Sequence, residues 1–179
     1  MDSSNPFEAN AAKLRELNQA IDSSFRVRNE SESKGKAWEE ACRQFHLSYD
    51  GLAFPGGLAN FMTRLRERET AAIELAVQFL EADPLFFRSG YIKEDLLEHL
   101  RWSPLNEEQK HRLQHVILQR VRDSKTRREF RRYCRLAPFI TDAEFEKEVT
   151  TLAGPSGEKP KRAQWVLEHL RQGMPKRKE

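Results

Sequence analysis

Apolar side chains recur along the chain at intervals of three and four residues, the spacing that lines one face of an α-helix. Leu14, Leu17 and Ile21 form the first stripe, and Trp38, Ala41, Cys42 and Phe45 the second. Leu58, Phe61, Met62 and Leu65 begin a third, and Ile73, Ala76, Val77 and Leu80 a fourth. Ile92, Leu96, Leu97 and Leu100 share a face, as do Leu113, Val116, Ile117 and Val121. Phe130, Tyr133, Cys134 and Ala137 mark the next helix, Phe145, Val149 and Leu152 another, and Trp165, Val166, His169 and Leu170 the last. Nowhere do apolar and polar residues alternate with the period of two that a half-buried strand requires. The expected fold is therefore all-α, with no sheet.

Capping and breaking residues set the expected boundaries. Asn5 before Pro6, with Glu8 three residues on, reads as a helix start. Residues 22–36 turn to Ser, Glu, Asn and Lys around Gly35, with Phe25 and Val27 the only apolar side chains, which predicts a mobile connection after an N-terminal helix. The helix of Trp38 is expected to end near Ser48, and Gly51 to Gly57 to form an ordered turn anchored by Leu52 and Phe54. No Gly-Lys-Ser/Thr ending follows those glycines, so they do not read as a phosphate loop. Asp83-Pro84 and Ser103-Pro104 stop two helices because the residue before proline avoids the helical region. Pro138 is expected to close a helix running from Arg127 to Ala137. Asn106 can cap the helix of Leu113, Thr141 to Glu144 reads as a capping box, and Gly154 to Pro160 as a loop. The expected organisation is an N-terminal helix with its connection at 1–36, a helical domain at 37–172, and a basic tail at 173–179.

Two segments match at an offset of 34 residues: Leu100-Arg-Trp-Ser-Pro-Leu105 over Cys134-Arg-Leu-Ala-Pro-Phe139. Each is followed by a capping residue and an acid, Asn106-Glu107 directly and Thr141-Asp142 after an inserted Ile140. A helix, a proline-marked turn and a capped second helix make a helical hairpin, so the match predicts repeat units around 92–122 and 127–152. Over residues 58–172 the arrangement is loosely similar to HEAT-type helical repeats, which implies a short helical-hairpin array, or else an irregular helical bundle. No family motif accompanies the likeness, and the Trp-x-x-Leu-Gly-x-x-Tyr pattern of tetratricopeptide repeats is missing. No family is assigned.

Composition sharpens this picture. Of 179 residues, 38% are apolar and 33% charged, a balance that suits helices with broad solvent-facing surfaces. The 11 Phe, three Trp and three Tyr supply the bulk for a core. No apolar run reaches the length of a membrane span and the N-terminus has no secretory pattern, so a cytoplasmic location is expected. Cys42 and Cys134, far apart and without a Cys-x-x-Cys context, read as free thiols. Net charge is only +3 but uneven: residues 1–100 carry 12 basic and 17 acidic side chains, residues 101–135 carry 11 and 4, and residues 136–179 carry 8 and 7.

The basic stretch holds the candidate chemistry. Arg128, Arg131, Arg132 and Arg135 fall at i, i+3, i+4 and i+7, opposite Phe130, Tyr133, Cys134 and Ala137, and Lys125 and Arg127 extend the positive end. Clustered guanidiniums offer paired donors for carboxylate or phosphate. The competing reading is a solvated face neutralised by Glu129 and by acids of neighbouring helices. Arg120 falls instead among Leu113, Val116, Ile117 and Val121, so it is expected to form a structural ion pair with a carboxylate from an adjacent helix, with Asp95, Glu98 and Asp123 as candidates.

His111 and His115, with Glu108 a turn earlier, have metal-ligand spacing, but Arg112 stands where a His-Glu-x-x-His enzyme keeps its general base, and a plain surface pair is the favoured reading. No nucleophile elbow or Cys/His pairing appears, so neither a cofactor nor a metal is expected and the reading leans away from an enzyme. The expected function is a non-catalytic interaction module whose arginine face binds an acidic protein or peptide. Electrostatic binding of nucleic acid is the alternative, an enzyme of unknown class the third reading, and no membrane role is expected. Oligomeric state is left open.

Overall fold

The computed structural model describes residues 6–123, 128–154 and 158–174, and among these every regular element is a helix. Asn5, expected to cap the first helix, lies outside the described residues. The chain divides into two compact units: the described residues through Glu69 together with Ala82–Ser89, and Thr70–Glu81 together with the residues from Gly90 onward.

In the first unit α1 (Pro6–Val27) and α2 (Glu32–Ala53) pack along one another. The stretch 22–36, expected to be a mobile connection, is helical on both sides of a short turn. Its polar residues are good helix-surface residues, and the few apolar ones find partners. Phe25 meets Trp38 edge to face at 6.0 Å, Arg28 lies 3.5 Å over the Phe25 ring, and Ser31 caps α2 by accepting from the Lys34 amide. Phe7, Ala11 and Leu14 are buried, which makes α1 integral to this unit.

The second helix also outruns its expected end at Ser48. Burial of Ala53 and Phe54 offsets the roughly 1 kcal/mol that Gly51 costs inside a helix. Phe54 stacks on Phe61 of α3 (Leu58–Arg66) at 3.8 Å and meets Phe7 at 5.4 Å. Gly56 and Gly57, at φ of 80° and 92°, make the turn between them. Asp50 then accepts from the Ala59 amide at 3.1 Å, and a Cβ on Gly57 would collide with that carboxylate.

The second unit takes α4 (Thr70–Ala82) and α5 (Ser89–Leu100), apart from Ala82 and Ser89 at their ends, with α6 (Glu107–Arg122), α7 (Phe130–Ile140), α8 (Ala143–Leu152) and α9 (Glu158–Gln172). Ile73, Val77 and Leu80 of α4, Leu96, Leu97 and Leu100 of α5, and Leu113, Ile117 and Val121 of α6 are all buried, while α7 packs on α6 and α9 packs on α6, α7 and α8. Asn106 and Gln109 form a complete capping box on α6.

Four boundaries differ from expectation. The helix expected to run from Arg127 begins at Phe130, with Arg128 and Glu129 in the turn before it. Pro138 lies inside α7 rather than closing it: only the last turn loses a hydrogen bond there, and burial of Leu136, Ala137, Pro138 and Ile140 outweighs that loss. The cap of α8 is Asp142, which accepts from the Phe145 amide at 2.8 Å, and not Thr141. Finally, α9 begins at Glu158, within the segment expected to be a loop.

Candidate functional site

Side chains 34 residues apart meet across the two segments that match at that offset, where Trp102 also touches Phe139 at 5.0 Å. Glu94 of α5 lies 3.0 Å from Arg128, and Glu98 accepts from Arg132 at 2.9 Å, each pair 34 residues apart. Partners that advance together along both segments mean that α5 and the stretch from Arg128 into α7 run in the same direction. Arg128 also donates to the Tyr91 hydroxyl at 3.1 Å, with its guanidinium 4.7 Å from that ring's centre. Glu98 further holds Arg101 at 3.0 Å, and the Arg101 guanidinium lies 5.2 Å from the centres of both Trp102 and Phe139.

The arginine face is therefore divided. Arg128 and Arg132 are held by α5 carboxylates, whereas Arg131 and Arg135, one turn apart, are exposed and form no ion pair among the described residues. Glu129, expected to neutralise this face, is buried and sets its carboxylate against Gly90 instead. Lys125 and Arg127 lie outside the described residues.

A groove of about 440 Å³ runs along this face, lined by Arg128, Arg131, Arg132 and Arg135 together with Glu94, Phe130 and Trp165. Trp165 comes from α9, its ring 6.2 Å from that of Phe130, and the Lys161 ammonium lies 5.9 Å from the Trp165 ring. The groove thus joins two unneutralised planar cations to an aromatic wall. Such a site binds carboxylate or phosphate by paired N–H donors and covers apolar surface beside them.

Elsewhere in this unit the same residue types are structural. Arg112 donates to both oxygens of Glu81 at 2.8 and 2.6 Å and to Glu74 at 2.7 Å, tying α6 to α4. The Glu81 hydrogen bonds lead in holding its guanidinium proton more tightly than usual. Burial works to raise the Glu74 carboxyl, but hydrogen bonds from Gln109, Arg112 and Gln78 outweigh it and leave the net shift downward.

Arg120 meets Asp123 at 3.9 Å, one of the three carboxylates expected as its partner and the residue that caps its own helix. The buried Arg162 closes the end of α6 by donating to the carbonyls of Arg120 and Asp123, the favourable place for a cation on a helix dipole.

His111 and His115 part company. His111 lies 3.5 Å from Asp142, and His115 is 2.8 Å from the Gln119 amide nitrogen. Asp142, rather than Glu108, stands beside His111, and no group of three or more His, Cys, Asp or Glu among the described residues is arranged to hold a metal ion. Cys42 and Cys134 are both free, and burial pushes the Cys134 thiol up to about 12, which leaves it protonated and poorly nucleophilic at neutral pH.

Trp165, Arg162 and the double role of Glu98 are not legible from the arginine pattern, because each depends on a helix distant in sequence. The spacing of Glu74 and Glu81, two helical turns apart beside an apolar stripe, is the one signal that points to a shared cationic partner. The fold and site define an all-α protein with an arginine-lined groove, and among the described residues no helix is long and apolar enough to cross a membrane. Comparison with family models, curated proteins and solved structures finds no match.

Proposed function

We propose that this chain is a cytoplasmic, non-catalytic helical interaction module that binds an acidic protein segment in the α7–α9 groove. The observation that carries the reading is the division of the arginine face: Arg131 and Arg135 remain unneutralised beside Trp165, while Glu94 and Glu98 hold their neighbours. An exposed like-charge pair at i, i+4 costs a few tenths of a kcal/mol, and an anionic ligand relieves that cost. The 34-residue register of α5 against α7, with Arg112 of α6 reaching residues 31 and 38 positions earlier on α4, supports reading the second unit as a helical-hairpin array.

Nucleic acid fits less well, because two of the four arginines on the face are already neutralised. Two remaining phosphate contacts would give a log–log salt slope of only about −2. The test is a titration of wild type and the Arg131→Gln, Arg135→Gln double variant with a glutamate-rich peptide and with duplex DNA over a range of salt. Peptide binding weakened roughly tenfold or more by the double change is the expected result. Absence of peptide binding, or binding indifferent to both substitutions, refutes the reading; a steep salt slope on DNA transfers the groove to nucleic acid.

A further inference from the structure

We infer that the acidic segment carries a large apolar side chain beside its acidic groups, and that this side chain stacks on Trp165. The inference rests on the reading above and specifies its ligand. A ligand recognised by charge alone needs only the guanidiniums of Arg131 and Arg135, yet the groove between α7 and α9 has an aromatic wall. Phe130 is buried and backs the half-exposed Trp165, so the indole is held in position before any ligand arrives.

Cations flank this ring from both helices. Arg131 and Arg135 lie on α7, and Lys161 on α9 is 5.9 Å from the indole. At the remaining end Glu94 already occupies Arg128, so an incoming anion is directed toward Arg131 and Arg135 and away from that carboxylate. The groove volume of about 440 Å³ falls in the range of sites that enclose an organic group, about 300–1,000 Å³, and exceeds what two carboxylates fill. An aromatic or long aliphatic side chain set beside a pair of acids satisfies all of these features at once. It places its charges on the free guanidiniums and its apolar surface on the indole.

Three short synthetic peptides test the inference on the full chain: one with phenylalanine beside a Glu-Glu pair, one with alanine in place of the phenylalanine, and one with Gln-Gln in place of the acids. The phenylalanine peptide is expected to bind wild type roughly tenfold more tightly than the alanine peptide, the scale of one well-placed aromatic contact. Trp165→Ala should abolish that difference and Trp165→Phe should retain most of it. The Gln-Gln peptide should lose binding on every variant.

Equal affinity of the phenylalanine and alanine peptides for wild type, with both weakened by the Arg131→Gln, Arg135→Gln change, overturns the apolar anchor and leaves the module reading standing. Failure of both acidic peptides to bind overturns the two together. If Trp165→Ala proves unfolded by circular dichroism, the comparison of peptides on wild type and on Trp165→Phe still decides the matter.

Discussion

Arg112 and the pair Arg131 and Arg135 belong to the same compact unit, stand on amphipathic helices and look alike in composition, yet their surroundings are opposite. Arg112 uses its guanidinium on Glu74 and Glu81, two carboxylates spaced two turns apart on α4. Arg131 and Arg135 face a groove with no carboxylate of their own. What separates a structural arginine from one available to a partner is therefore the acid on the neighbouring helix, and the arginine's own helix does not reveal it. The contrast extends into a single stripe, where Arg128 and Arg132 are held and the residues beside them are not.

The largest effect is expected beneath the clamp. Ile117 is fully buried on the helix that carries Arg112, and Ile117→Ala should cost about 2–5 kcal/mol in urea unfolding. A loss below about 1 kcal/mol would mean that α6 is not seated on the core as described. Next is the clamp itself: Arg112→Met should cost about 1–3 kcal/mol, because it strips charged hydrogen bonds from two partly buried carboxylates.

The Arg112 change also sharpens the comparison through pH. The Glu74 carboxyl is depressed in the folded state, so its contribution is present above the unfolded value of about 4 and is lost as pH falls through the folded value. Arg112→Met should flatten that acid limb of the stability curve, whereas the Arg131→Gln, Arg135→Gln change should leave it as it is.

A smaller effect distinguishes the cap of α8. Asp142→Ala should cost about 1 kcal/mol and Thr141→Ala less than about 0.5 kcal/mol, since only Asp142 accepts from the Phe145 amide. That amide is also the leading cause that holds the Asp142 carboxyl below its ordinary range, with Gln114 adding to it, so the cap too should weaken on acidification. The smallest change in stability belongs to the groove. Arg131→Gln with Arg135→Gln should shift stability by no more than about 0.5 kcal/mol while reducing acidic-peptide affinity, and Arg132→Gln should cost about 0.2–1 kcal/mol through its pair with Glu98. A large destabilisation by the first double change would erase the distinction between Arg112 and the groove.

Periodicity alone was enough for the helical class and for most of the core: Leu96, Leu97, Leu113, Ile117, Phe145 and Val149 all stand on predicted stripes and all are buried. Helix stops at Asp83-Pro84 and Ser103-Pro104 were legible for the same reason, because proline acts on its immediate neighbours. Pro138 was misread because its local cost is outweighed by burial around it, which is a tertiary quantity. The stretch at 22–36 was misread likewise, since its few apolar side chains looked too sparse until Phe25 met Trp38 across the turn.

The sequence by itself determined which side chains share a helical face, since that follows from 3.6 residues per turn, and it set four arginines at helical spacing, three of which stand on α7. Only the tertiary structure decided which of those cations are held by α5, and brought Trp165 of α9 to complete the groove. Ion pairs and groove walls join residues tens of positions apart, and their formation depends on how helices are set side by side, which no local periodicity encodes.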